Sequence, residues 1–294
     1  MVKIDLHMHS NHSDGEFPPK ELVDIVAKKK ISVMAITDHD RATSNKEAGD
    51  YAKEKGIEYI NGIEITATPP KGVRELHIVG LFINSENEEI KNISGRHKKY
   101  AIETAKNIIE KLNDLEYDIS FEELLKETEG KHFGRPFMAK ILMRKYPDKF
   151  QERSQVFNEL LGKNGKAFVL PRGTELREAI NIIHNAGGIA IVAHPWYLGE
   201  KMLDILEQFV SLGGDGIELD YTPKESIPNN TKEILEDFTK KHNLIISGGT
   251  DFHRIKEGKK EIGDRGISKE EFLKLKEYHQ KNAKTWLDRI KRKR

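Results

Sequence analysis

Six short stretches of the chain each set a histidine or a carboxylate at or near the end of an apolar, β-prone run, and together they supply nine metal-ligating side chains. No other feature constrains the fold as strongly. The first stretch is Val2-Lys3-Ile4-Asp5-Leu6-His7-Met8-His9, where period-2 alternation sets His7 and His9 on one face of a strand and Leu6 and Met8 on the other. Two imidazoles side by side make a chelate. The polar turn Ser10-Asn11-His12-Ser13-Asp14-Gly15 then brings Asp14 near that pair. A second run ends in Ile36-Thr37-Asp38-His39-Asp40, one imidazole among carboxylates, which is expected to raise its basicity and fix its tautomer.

Glu64 lies in Gly62-Ile63-Glu64-Ile65, an apolar strand where a carboxylate is costly to bury unless a cation compensates. His77 interrupts Leu76-His77-Ile78-Val79, His194 closes Ile189-Ala190-Ile191-Val192-Ala193, and Asp251-Phe252-His253 repeats the two-apart spacing of the opening pair. Any one of these has an ordinary reading, as a satisfied core histidine or an internal salt bridge. Six of the twelve histidines and three carboxylates phased after successive strands do not. The remaining histidines, His12, His97, His132, His184, His242 and His279, fall on turns or helices and are read as surface residues.

At 294 residues the chain fits one large α/β domain or two ordinary ones. Lys and Arg total 49 against 48 Asp and Glu, so no global field draws the protein to nucleic acid or an anionic membrane. A small anionic substrate would be bound locally, and no stable duplex nucleic-acid partner is expected. The absence of cysteine excludes disulfides, thiolate zinc sites and a cysteine nucleophile, which leaves His, Asp and Glu as the ligands. No apolar run approaches ~20 residues and no leader precedes the first strand, so a cytoplasmic protein is expected.

Strand-like and helix-like runs alternate from residue 2, and seven strands are expected: Val2 to Leu6, Val33 to Thr37, Ile63 to Thr66, Glu75 to Ile83, Ile189 to Ala193, Gly216 to Leu219 and Leu244 to Ser247. Thr68-Pro69-Pro70-Lys71-Gly72 leaves no room for a helix, so the third and fourth should pair as a hairpin. Ligands after nearly every strand favour a closed α/β barrel, whose strand C-termini share one mouth, over an open sheet. The strand signal disappears over residues 85–166, read as a helical insertion or cap within a barrel domain of residues 1–84 and 167–294. The run Lys269 to Arg294 reads as a helix whose basic end is a solvated face.

The motifs His7-Met8-His9, Ser13-Asp14-Gly15, Thr37-Asp38-His39-Asp40, Gly62-Ile63-Glu64, Leu76-His77, Ala193-His194-Pro195 and Asp251-Phe252-His253 resemble those of the PHP family, the polymerase and histidinol phosphatase family. The insertion, with Gly134-Arg135-Pro136 and the Gly165 to Pro171 stretch, is similar to its branch of stand-alone phosphoesterases acting on nucleotide 5′-phosphates, including nucleoside 3′,5′-bisphosphates and RNA 5′ ends. The resemblance implies a distorted seven-stranded (β/α) barrel with three divalent metal ions. The first would be held by His7, His9, Glu64 and Asp251, the second by Glu64, His77 and His194, and the third by Asp14, His39 and His253. Ligation without sulfur suits Mn²⁺, Fe²⁺ or Zn²⁺, with Mn²⁺ preferred.

Such a cluster would activate a bound water for in-line attack on phosphorus, and Asp14, His39 or a water on the third metal are the candidates for handling the leaving group's proton, none favoured by sequence. Guanidinium and ammonium groups would orient the phosphate, with Arg135 first, then Lys166 and Arg172. The branch usually carries threonine where this chain has Arg41, a cation near the mouth that can itself meet a phosphate. The expected activity is hydrolysis of a nucleotide phosphomonoester. Histidinol phosphate phosphatase activity and a non-catalytic, metal-stabilised module are the alternatives.

Overall fold

A computed structural model describes residues 4–128, 133–220, 230–255 and 261–293, without side-chain detail for residues 220 and 283–293. Val2, Lys3, His132 and Arg294, assigned above to a strand, the surface and a terminal helix, lie outside the described residues. The described strands are β1 (Ile4–Asp5), β2 (Val33–Met34), β3 (Glu58–Tyr59), β4 (Gly62–Ala67), β5 (Leu76–Leu81), β6 (Ile189–Val192), β7 (Gly216–Asp220) and β8 (Ile245–Gly248). The helices are α1 (Pro19–Lys28), α2 (Asn45–Glu54), α3 (Glu88–Asp114), α4 (Phe121–Thr128), α5 (Arg135–Lys145), α6 (Arg153–Val156), α7 (Leu176–Asn185), α8 (Met202–Ser211), α9 (Thr231–His242) and α10 (Lys269–Lys293).

Instead of seven strands in one ring, eight described strands fall into two sheets, β1-β2-β3 and β4-β5-β6-β7-β8. The additional strand is β3, whose two residues, one of them the exposed Glu58, are too few and too polar to show a period-2 signal. β4 and β5 pair antiparallel, as the turn-rich link between them requires, and β5 is antiparallel to β6. The other neighbours run parallel. β6 is buried along its whole length, which is why it reads as an unbroken apolar run.

Backbone hydrogen bonds also join the two sheets beyond their ladders. The Leu6 N–H donates to the Gly248 carbonyl at 3.2 Å, Asp251 to His7 at 2.8 Å, and His9 to Phe252 at 2.8 Å, so the continuation of β1 lies beside that of β8. On the other margin Glu64 donates to Asp38 at 3.2 Å and Asp40 to Glu64 at 2.8 Å, setting the end of β2 beside β4. The approach of β8 to β1 needs a glycine at position 249, where a Cβ would stand 2.3 Å from the His7 nitrogen. Helices cover the outer faces through apolar stripes. Leu22, Val23 and Val26 of α1 pack with Met8, Met34 and Ile36, while Ile180 and Ile183 of α7 pack with Ile63, Ile78 and Phe209 of α8.

The chain divides into a first unit, residues 1–94 and 174–294, and a second, residues 95–173. Both boundaries fall later than 84/85 and 166/167. Ile90 and Ile93, at the start of α3, belong to the first unit's core, whereas Ala167 is buried with Leu160 and Leu161 in the second's. The second unit is helical among its described residues. No helix among the described residues is long and apolar enough to cross a membrane.

The histidines read as surface residues are half-buried in the five described cases. His184 Nε2 is 2.7 Å from Asp215 Oδ2, an oxygen that also accepts the Ala190 N–H, while Tyr278 donates to Asp215 Oδ1 at 2.8 Å. His279 donates to the Gly187 carbonyl at 2.9 Å, His242 Nε2 is 3.1 Å from Glu207 and His12 Nδ1 is 2.8 Å from Thr43. His97 meets Tyr100 edge-on. Except for His97, whose partner lies in its own helix, these polar contacts join separate parts of the chain, which apolar periodicity does not register.

Candidate metal centre

The nine side chains singled out in the sequence all belong to the first unit: Glu64 lies within β4, His77 near the start of β5, and the other seven beyond the ends of strands. Exposure rises from floor to rim: the side chains of His7, His9 and Glu64 are fully buried, while that of Asp14 is 55% exposed. Three sets bring ligand atoms within 4.8 Å of one another and could each hold a metal ion: His7, His9, Glu64 and Asp251; His39, Glu64 and His77; and His9, Asp14, His39 and His253.

Glu64 is the hub. Its Oε2 lies 3.3 Å from His7 Nε2, 3.2 Å from His9 Nε2 and 3.2 Å from His39 Nδ1. Its Oε1 lies 3.2 Å from His77 Nδ1 and 3.0 Å from His194 Nε2, and those two nitrogens are 3.3 Å apart. Asp251 Oδ1 is 3.5 Å from His7 Nε2 and 3.2 Å from His9 Nε2. Asp14 Oδ2 is 3.3 Å from His253 Nε2, and Asp14 Oδ1 is 3.7 Å from His9 Nδ1 and 3.9 Å from His39 Nε2.

These separations test the fit of a cation. Ligands held ~2.0–2.2 Å from a common ion stand about 3.0–3.5 Å from one another, the spacing seen around Glu64 and Asp251, while Asp14 stands slightly farther from His9 and His39. Glu64 Oε2, His9 Nδ1 and His39 Nδ1 are buried without a hydrogen-bond partner. Donor atoms crowded at that distance in non-bonding directions suit a divalent ion, and the mixed nitrogen and oxygen set suits a borderline one.

Hydrogen bonds on the far sides of the rings orient them. His253 Nδ1 faces the Asp251 carbonyl at 2.9 Å, which can only accept, so Nε2 is left for the centre. His7 Nδ1 faces Glu218 Oε1 at 2.8 Å in the same manner, and Glu218 Oε2 accepts the His194 N–H at 2.8 Å. Glu218 is buried on β7 and was not singled out in the sequence, although Gly216-Ile217-Glu218-Leu219 carries the same signal as the stretch around Glu64. His194 and Asp251 have left-handed backbones, at φ 31° and 53°. Such strain in non-glycine residues persists where surrounding bonds over-determine it.

The carboxylates flanking His39 do a different job from the one expected. Asp38 accepts the Ser10 N–H and the hydroxyls of Ser10, Ser13 and Ser44, and Asp40 accepts the Thr66 N–H at 2.8 Å. Asp38 precedes His39 on extended chain and points to the opposite face, while Asp40 has a left-handed backbone, and the bonds of both carboxylates lead away from the imidazole. Burial therefore dominates, and with His9 and His77 nearby it takes His39 down to about 4, despite Glu64, instead of raising its basicity. Asp5, buried beneath the centre, accepts the Thr250 N–H at 3.0 Å and its hydroxyl at 2.7 Å, anchoring the turn that carries Asp251.

In the metal-free protein burial opposes charge on His7 and His9, yet the surrounding carboxylates prevail. Glu218, Glu64 and Asp251 hold His7 well above its usual range, and Asp251 with Glu64 takes His9 to about 9. A ligating imidazole must give up that proton, so metal and protons compete. The raised folded-state pKa of His9 makes a stabilising contribution that is complete below its unfolded value of about 6.5 and lost as pH rises through about 9. Metal affinity should run the opposite way. The rise in melting temperature produced by a fixed Mn²⁺ concentration is expected to be larger at pH 9 than at pH 6.5, and calorimetry in buffers of different ionisation enthalpy should show proton release. Equal shifts with no proton release would contradict this linkage.

Arg135, Lys166 and Arg172 belong to the second unit. The half-buried Arg135 donates to the Leu161 carbonyl at 3.0 Å and lies 5.4 Å from the centre of the Phe168 ring. Arg172 is exposed, 4.4 Å from the Tyr100 ring centre and 3.4 Å from Glu103, and Lys166 is exposed.

Comparison with known proteins identifies the family. The PHP domain family matches residues 5–172. The chain belongs to the PHP family. It is 33% identical over 258 residues to a 5′-3′ exoribonuclease of Haemophilus influenzae, an alignment covering 85% of this chain and 90% of the relative. It is 28% identical over 267 residues to a 3′,5′-nucleoside bisphosphate phosphatase of Chromobacterium violaceum, covering 90% and 91%. A solved structure described as an amidohydrolase from Chromobacterium violaceum, with bound sulfate and no metal, superposes with a TM-score of 0.69 at 25% identity and covers 94% of this chain and 96% of that one. This PHP chain thus shares the α/β fold of its relatives.

Proposed function

We propose that this chain, a hydrolase of phosphoester bonds by its family, is a metal-dependent phosphomonoesterase acting on a nucleotide. A nucleoside 3′,5′-bisphosphate is the first-choice substrate and an oligoribonucleotide 5′ end the second, on the strength of the two relatives above. One observation carries the reading: a fully buried Glu64 turns its two oxygens to two different groups of imidazoles. The proposed ligand sets are His7, His9, Glu64 and Asp251; Glu64, His77 and His194; and Asp14, His39 and His253, three ions in all, with Mn²⁺ preferred over Fe²⁺ or Zn²⁺. When bound, the ions supply Lewis acidity and neutralise charge on the phosphate.

The chain's own residues do the rest. Glu218 and the Asp251 carbonyl orient His7 and His253. Asp14 and His39 handle protons at the rim: despite its partial burial Asp14 is held well below the usual carboxylate range by His253 and His39, and His39 is neutral at pH 7, so in the metal-free protein both are acceptors. Arg135, Lys166 and Arg172 are proposed to orient the phosphate. The margin bonds joining β1 to β8 and β2 to β4 support a distorted seven-stranded barrel, with β3 and β4 as one strand broken at Ile60-Asn61.

With Mn²⁺ present, kcat/KM for adenosine 3′,5′-bisphosphate is expected to exceed that for histidinol phosphate by tenfold or more, the equivalent of about 1.4 kcal/mol. Arg135→Ala, assayed alongside, should raise KM for the nucleotide. Preference for the amino alcohol would overturn the reading, and an unchanged KM would remove Arg135 from it.

A further inference from the structure

The loop that leaves β2 carries His39 and, two residues on, Arg41. Arg41 is half-buried, its Nε is shielded from solvent without a hydrogen-bond partner, and no acid among the described residues pairs with its guanidinium. A guanidinium nitrogen shielded from water without a partner is costly, and an anion beside it would reduce that cost. Arg41 lines a cavity of about 300 Å³ in the first unit with Thr43, Lys46, Ser85, Glu86 and Lys91. Three cations thus face one acid. Lys46 is engaged by Asp50 at 3.0 Å and Lys91 by Glu86 at 2.8 Å, both through exposed pairs that an incoming anion can displace at little cost. The same wall includes the start of α2, a helix of 10 residues without a side-chain cap, whose N-terminal dipole favours negative charge.

We propose that this cavity binds a phosphate group of the substrate other than the one hydrolysed, either the 3′-phosphate of a bisphosphorylated nucleoside or the phosphodiester that follows an RNA 5′ end. The inference rests on the nucleotide reading above. Two chemical features point to phosphate: a guanidinium fork matches phosphate oxygens, and three hydroxyl-bearing side chains, Thr43, Ser85 and Ser94, stand among the cations. The volume is at the small end of ligand sites, enough for a phosphate with its ribose and far too little for a duplex. A substrate with a single phosphate would leave the cavity unused, so it acts as a discriminator.

Two measurements test the proposal separately from the nucleotide reading. In metal-free protein kept in chelator, modification of Arg41 by phenylglyoxal, followed by peptide mass spectrometry, should slow about fivefold in millimolar inorganic phosphate. No protection overturns the cavity as an anion site, whatever the substrate proves to be. The affinity ratio of adenosine 3′,5′-bisphosphate to adenosine 5′-monophosphate should then fall about tenfold in Arg41→Ala, with part regained in Arg41→Lys and melting curves checking the fold of each variant. The same ratio measured between a 5′-phosphorylated dinucleotide and the mononucleotide separates the RNA source from the bisphosphate. Unchanged ratios overturn the discriminating role while the nucleotide reading stands. Turnover of aryl phosphate but of neither nucleotide, with Arg41 still protected, overturns the nucleotide reading and leaves the anion cavity.

Discussion

Glu64→Gln should reduce Mn²⁺-supported turnover by roughly three orders of magnitude and lower the number of ions the protein retains. The substitution is nearly isosteric, so it leaves the packing of β4 intact and changes only charge and oxygen count. Oε1 and Oε2 face separate imidazole groups at 3.0–3.3 Å. An amide offers one oxygen where the carboxylate offers two, and its NH₂ must point either at His77 and His194 or at His7, His9 and His39, where lone pairs are needed. It also removes the buried negative charge that offsets two or three cations. A loss of about 4 kcal/mol at the transition state corresponds to the thousandfold effect. Metal-to-protein ratios from atomic emission, measured beside kcat, check it. Full occupancy with turnover within tenfold of wild type would remove Glu64 from its central place.

The nine gathered side chains were legible because a strand's period of two and a short apolar run place a polar residue at a defined point, and the antiparallel turn of β5 brings its first residues, with His77, to the same region. What escaped the sequence depends on geometry that periodicity does not encode. His39 sits between Asp38 and Asp40 in the chain, yet those carboxylates face serine hydroxyls and the Thr66 amide. β3 was missed because two residues make no pattern, and its neighbour β4 absorbs the signal. The helical histidines gave no warning that His184 would meet a buried Asp215 across 31 residues. Glu218 is different, since an acid inside Gly216-Ile217-Glu218-Leu219 could have been weighed as Glu64 was. The two histidines it serves follow β1 and β6, far from it in the chain.

Glu218→Gln should weaken Mn²⁺ binding 10- to 100-fold, the usual cost of losing a partner that orients a ligand. Both oxygens of Glu218 accept: Oε1 from the His7 ring and Oε2 from the His194 backbone, at 2.8 Å each. Glutamine has one acceptor oxygen, so one of these donors is left facing an NH₂ group. If it is His7, the neutral ring escapes by moving its proton to Nε2, which removes the lone pair that faces Glu64 and Asp251. If it is His194, a buried N–H at a left-handed backbone loses its acceptor, a cost of about 1–3 kcal/mol that should also lower the melting temperature of the metal-free protein. Glu218→Asp keeps two acceptors and should bind more tightly than the glutamine variant, provided the shorter side chain still reaches one donor. Because the defect is one of affinity, excess Mn²⁺ should restore most of the turnover of Glu218→Gln but little of that of Glu64→Gln, whose donor atom is itself changed. Titrating both variants with Mn²⁺ by calorimetry and by activity separates them, and a wild-type affinity in Glu218→Gln would show that His7 needs no partner to hold its orientation.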